Sequence, residues 1–168
     1  MHQVYLLSVW VHILATMVWI GGASFIALVL VPAVRRPENA HNAPALLRAW
    51  AMRFRTVGWA SLIILVVTGC LILALRGFTF EDCFTGRVFI GLFGRTLAIK
   101  LILIAAIFAI SGLHDFYLGP HAAKVILDNP GSAEAAKARK RASWMGRIGL
   151  LLGLAVVAMA VQLVRGPF

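Results

Sequence analysis

The stretch VYLLSVWVHILATMVWIGGASFIALVLVPAV, residues 4–34, decides the fold. It holds no charged residue and a single histidine, His12, across a length well beyond the roughly 20 apolar residues that span a bilayer. Three more such runs follow: Thr56 to Leu75, Val88 to Leu118 (interrupted by Arg95 and Lys100) and Ile148 to Val164. Lipid satisfies no backbone donor or acceptor, so each run is expected to be a helix. The alternation of a membrane β-strand is absent. The expected fold is all-α: an integral membrane four-helix bundle in one domain, residues 1–168, with helices about 4–34, 45–76, 89–118 and 133–165. Composition agrees, with 61% hydrophobic residues, 13% charged residues and a mean hydropathy of +0.91. The N-terminus lacks a basic n-region and its apolar run is too long for a signal peptide, so the first helix is expected to stay in the membrane.

The formal charge of +10, from 16 Lys+Arg against 6 Asp+Glu, gathers at the ends of the apolar runs. No basic face carries interleaved exposed aromatics, which argues against nucleic acid. The first loop holds Arg35, Arg36, Arg48, Arg53 and Arg55. The third holds Lys124, Lys137, Arg139, Lys140, Arg141 and Arg147. In the middle loop Arg76 and Arg87 are balanced by Glu81 and Asp82. The positive-inside rule then places the first and third loops in the cytoplasm, with both termini and the 77–95 loop outside. A multi-pass protein of a bacterial-type inner membrane is expected.

Local signals set the helix ends. Asn42 and Pro44 read as an N-cap and an early helical proline, and Ser132 as the cap of the fourth helix. Gly77 reads as the end of the second helix, and Gly119-Pro120 as the stop of the third. The 79–94 segment, with Phe78, Phe80, Phe84, Phe89 and Phe93 in or beside it, is expected at the outer interface. Gly21, Gly22, Ala23 and Ser24, and Gly149 with Gly153 extended by Gly146, mark close helix approach, inside the bundle rather than in a dimer.

Ionisable groups within an apolar run call for a function. His12 lies roughly 12 Å below the start of its helix, and Lys100 about 9–14 Å deep, at a rise of 1.5 Å per residue. His12, Thr16, Trp19 and Ala23 share one stripe; Thr96, Lys100, Ile107, Ser111 and His114 share another. The two stripes are expected to face each other. Cys70, Met159 and Gln162 fall in the same outer half. Imidazole suits iron or copper, thioether and thiolate suit copper, and an ammonium pairs with an anion. The plain alternatives are a hydrogen bond from His12 to a neighbouring hydroxyl or carbonyl, Lys100 snorkelling to headgroups, and Met159 and Cys70 as packing residues. Trp10, Trp50, Trp59 and Trp144 suit an interface belt, whereas Trp19 is deep. His114-Asp115, with His121 nearby, reads as a solvated turn with a local salt bridge. Cys70 and Cys83 have no metal-site spacing, and no catalytic triad, phosphate loop or carboxylate pair is present.

The run His12-Ile-Leu-Ala-Thr-Met-Val-Trp19-Ile-Gly-Gly22, with Pro32 and Arg35-Arg36 after it, resembles the first helix of the copper-resistance-D (CopD-like) membrane family and of the related HemJ-type protoporphyrinogen oxidases. Arg95-Thr-Leu-Ala-Ile-Lys100-Leu101 resembles their lysine-bearing third helix, and the C-terminal Leu-Leu-Leu-Gly-Leu and Leu-Val-Arg-Gly runs are similar to short CopD-like proteins. The HemJ-type resemblance implies haem b, with His12 and Lys100 as the matching residues. The CopD-like resemblance implies copper uptake or tolerance. In the haem reading His12 is an axial ligand, Lys100 holds a propionate or is the second ligand, and Thr16, Trp19 and Ser111 line the site in a redox or electron-transfer protein. In the copper reading His12, Met159 and Cys70 are the donors. A cofactor-free accessory subunit is the third reading. The expected partners are the lipid bilayer, other membrane subunits or a second copy.

Overall fold

The computed structural model describes residues 1–34, 36, 38, 43–129 and 131–165. Four long helices are sufficiently apolar to cross a membrane: α1 (His2–Val34), α2 (Ala43–Leu75), α4 (Gly91–Asp128) and α5 (Ala133–Arg165). A short α3 (Phe80–Phe84) and a 3₁₀ turn (Arg87–Phe89) join α2 to α4. Among the described residues there is no strand.

Ser132 Oγ accepts the Ala135 N–H at 3.0 Å, as an N-cap does. Gly77 (φ +91°) ends α2: its N–H reaches Ala74 O at 3.0 Å while Phe78 N–H reaches Leu73 O at 3.3 Å, the two bonds of a Schellman motif. The Asn42 cap lies outside the described residues.

The expected stop at Gly119-Pro120 does not occur. The helix runs on to Asp128 through a π turn over His114–Leu118, in which the Gly119 N–H bonds to His114 O, five residues back. Pro120 has no N–H and its ring crowds the carbonyl four residues before it. The wider turn directly upstream makes room, and the helix restarts with the proline in its first turn. Helix α1 does the same: a π turn over Ile26–Leu30, closed by Val31 N–H to Ile26 O, directly precedes Val31-Pro32.

An offset of 88 residues carries the first π turn onto the second, and Pro32 onto Pro120. The helices that follow, α2 and α5, are 33 residues each. The chain is thus two successive helical hairpins of matching design, α1–α2 and α4–α5.

The hairpins meet at a mid-bundle core of Trp19, Leu62 and Ile107, bordered by Ile20, Leu65, Phe108, Leu152 and Val156. Under the same offset Trp19 and Ile107 are equivalent positions, each buried in its half. A Cβ at Gly153 would stand 2.6 Å from Trp19 Cζ3, so glycine there is what admits the indole. A Cβ at Gly22 would likewise overlap the Phe54 ring. Gly146 and Gly149 face open space. The expected small-residue stripe on α5 is therefore split, with only Gly153 turned to the interior. Large apolar side chains such as Leu7, Val67, Ile102 and Leu151 point outward, as lipid permits.

Candidate metal-donor site

His12 is half-buried on α1, and its partner is on α2. His12 Nδ1 lies 2.7 Å from Thr68 Oγ1. The Thr68 hydroxyl in turn donates to Ile64 O at 2.6 Å, a carbonyl that only accepts. With its proton committed there, Oγ1 is left as acceptor, so His12 Nδ1 carries the hydrogen. His12 Nε2 is then the bare nitrogen, with its lone pair free for a metal. Anchoring one ring nitrogen to an oxygen is how proteins orient a metal-binding imidazole. Gly69 lies beside the ring, where a Cβ would make an ordinary contact, 3.6 Å from His12 Cε1. The expected hydrogen bond from His12 to a neighbouring hydroxyl is present.

The two stripes predicted to face each other do so at Trp19 and Ile107. Thr16 returns its hydroxyl to His12 O at 2.8 Å, and Thr96 returns its own to Leu92 O at 2.9 Å. Ser111 and Met159 are half-buried. Lys100 is half-buried, close enough to His12 and to Arg76 to interact electrostatically, and makes no hydrogen bond or ion pair among the described residues. Cys70 and Gln162 are exposed. Cys70 follows Gly69, which faces His12, and the rotation of about 100° per residue turns its thiol away. The set His12, Cys70 and Met159 is therefore not drawn together at Cys70. Both Cys70 and Cys83 are free thiols. Among the described residues no three His, Cys, Asp or Glu side chains stand close enough to cage an ion.

A second polar cluster lies at the other end of the bundle, where sequence reasoning expected a solvated turn. His114 Nδ1 pairs with Asp115 Oδ1 at 2.8 Å, as expected. Asp115 also reaches across to α2, where Oδ2 accepts the Trp59 indole N–H at 3.0 Å and its backbone carbonyl accepts from Arg55 at 3.4 Å. Trp59 packs on Phe108 and Phe116, and the Arg55 guanidinium lies 5.6 Å over Phe116. The π turn rotates Asp115 into this position, and no local sequence signal announced it. His121 belongs instead to a polar cavity of about 320 Å³ with Lys124, Val125, Asp128, Asn129 and Glu134.

Four membrane-length helices, with the His12 imidazole hydrogen-bonded between two of them, define a multi-pass membrane protein. Residues 48–163 match the family model for copper resistance protein D, and the chain belongs to that family. The match takes in most of α2, all of α4 with Lys100, and α5 through Leu163; His12 and Trp19 lie outside its span. No curated protein and no solved structure matches the chain.

Proposed function

We propose that this protein handles copper at a bacterial-type inner membrane, with His12 Nε2 as the donor that meets the metal. One observation carries the reading: the hydrogen-bonded chain from His12 Nδ1 through Thr68 Oγ1 to Ile64 O, which favours the tautomer that leaves Nε2 bare. The family match supports copper as the metal. Copper would supply the charge and the coordination chemistry. The chain's own part is to hold the imidazole rigidly, keep bulk water away with Trp19 and its neighbours, and offer Met159 as a soft thioether on the facing hairpin. The basic loops orient the protein with both termini outside.

The test is metal content in detergent-purified protein after Cu(I) loading and desalting. The wild type retains about one copper per chain. His12→Ala loses it, and Thr68→Val, which frees the ring to turn, binds about 10–100-fold more weakly. Unchanged copper content in His12→Ala would sink the proposal.

The second reading is haem b. His12 is the histidine on the helix face toward the core, and a porphyrin brings its own four equatorial nitrogens, so a single protein imidazole suits it. Here His12 is an axial ligand, with Lys100, Thr16, Trp19 and Ser111 around the macrocycle. A Soret band lost in His12→Ala selects this reading. Protein that binds neither copper nor haem and co-purifies with other membrane subunits selects the accessory role.

A further inference from the structure

At the Arg76 end of the bundle three cation-capable groups gather with no acid among them. Arg76 follows directly after α2. Its guanidinium lies 5.9 Å from the Tyr5 ring centroid and 5.8 Å from that of Phe93, and it donates to Tyr5 Oη at 3.0 Å. Phe93 is held by stacking on Phe78, 5.9 Å apart and 2° from parallel. Tyr5 and Phe93 are equivalent under the 88-residue offset that relates the hairpins, as are His12 and Lys100. Tyr5 stands seven residues before His12, and Phe93 seven before Lys100. Two turns of helix put each pair on one face, roughly 10 Å apart along the axis. Arg76 therefore bridges the two hairpins directly above the level of His12 and Lys100.

Lys100 points the same way. Side chains of an α-helix tilt toward its N-terminus, and α4 begins at the Arg76 end, so the four-carbon stem of Lys100 rises toward Arg76. Lys100 has no hydrogen bond or ion pair among the described residues. The acids nearest in the chain do not serve it. Asp82 is taken up by Thr79 at 2.7 Å and by Arg87 at 3.7 Å, and Glu81 is exposed and makes no ion pair among the described residues. Two cations brought near each other from opposite hairpins favour an anion held between them. Arginine set over aromatic rings still presents N–H donors in the fork geometry that suits a phosphate or carboxylate.

We propose that this mouth is an oxyanion site, gripped by Arg76 from one hairpin and Lys100 from the other, for a phosphate-class group. A phospholipid headgroup and a free oxyanion share that chemistry, and the test separates them. It is read in metal-free protein, so it stands or falls apart from the copper reading.

Protein is purified in dodecyl maltoside and stripped of lipid. Thermal unfolding is then followed against sodium phosphate, with sodium chloride at matched ionic strength, and against an added phospholipid. The wild type is expected to gain stability saturably. A response to free phosphate assigns a soluble oxyanion; a response to phospholipid alone assigns the headgroup. Arg76→Gln and Lys100→Gln each weaken the apparent affinity about ten-fold or more, the size expected for a charge-assisted hydrogen bond. Arg76→Lys keeps the charge, loses the fork and lies between, which covers the case in which Arg76→Gln does not fold. Arg87→Gln, at a largely exposed position on the neighbouring turn, responds as the wild type does. No saturable response to either probe in the wild type, or the same response in Lys100→Gln as in the wild type, overturns the proposal.

Discussion

Gly149 and Gly153 lie about one turn apart on α5, yet they meet different surroundings. A methyl group at Gly153 would collide with the Trp19 indole, which is 8% exposed and packed on Leu62 and Ile107, so the ring or the helix must give way. Gly153→Ala is expected to destabilise the protein by about 1–3 kcal/mol, the usual cost of overpacking. Gly149 has nothing within 4 Å of the added carbon. Gly149→Ala is expected to be neutral or slightly stabilising, since alanine is the better helix former. Thermal unfolding in detergent compares the two, and equal behaviour would show that the indole does not rest on Gly153. At the same scale, Asp115 holds two donors. Asp115→Ala leaves the half-buried Trp59 N–H without its acceptor and is expected to cost about 1–3 kcal/mol, whereas Asp115→Asn keeps an oxygen for it and costs less.

At the scale of the element, the turn at 79–84 is held by a capping box: Thr79 Oγ1 accepts the Asp82 N–H, and the Asp82 carboxylate accepts from the Thr79 N–H and hydroxyl. The hydrogen bond from the Thr79 backbone, first, and that from its side chain, second, hold the Asp82 carboxyl below its ordinary value of 3.8, with Arg87 adding a smaller pull. A carboxyl lowered in the folded state contributes stability that is present above its unfolded value and lost as pH falls through the folded one. Short helix α3 is therefore expected to loosen below about pH 4 while the long helices persist. Amide exchange at Thr79 and Asp82, compared at pH 5 and pH 3, reads this directly. Protection unchanged between the two would contradict the cap's role. Beside this polar cap Phe80 is 86% and Phe84 91% exposed, apolar faces that suit the interface expected for this segment.

For the whole molecule, the two-hairpin plan and the charge distribution meet in one topology. Cys83 sits in the loop between hairpins and is exposed, while Cys70 is exposed within an apolar span. In the proposed orientation, with both termini outside, a membrane-impermeant maleimide is expected to label Cys83 in intact spheroplasts and to leave Cys70 unlabelled. A cysteine introduced at Lys137 is labelled only after the membrane is opened. Labelling of the Lys137 position in intact spheroplasts would invert the arrangement. The 88-residue offset adds an architectural consequence: α1 and α4 run in the same direction, and each bends past a proline through a π turn. Under that repeat His12 and Lys100 stand at equivalent levels in the two halves.

Four spans, the Ser132 cap, the Gly77 terminator and the burial of an imidazole and an ammonium in apolar runs were all legible in the residues. Each follows from a local rule: lipid forbids open backbone groups, caps satisfy helix ends, and charge avoids hydrocarbon. The partner of each side chain was not legible. That His12 would lean on Thr68, Asp115 on Trp59 and Arg76 on both Tyr5 and Phe93 depends on how each helix is rotated about its own axis. In a soluble bundle polarity fixes that rotation, because one face must meet water. Here the lipid is as apolar as the core, so the pattern of residues barely distinguishes inward from outward. The rotation was decided by shape, by Gly153 making room for Trp19 and by π turns passing two prolines. Such fits exist only once the helices are packed together.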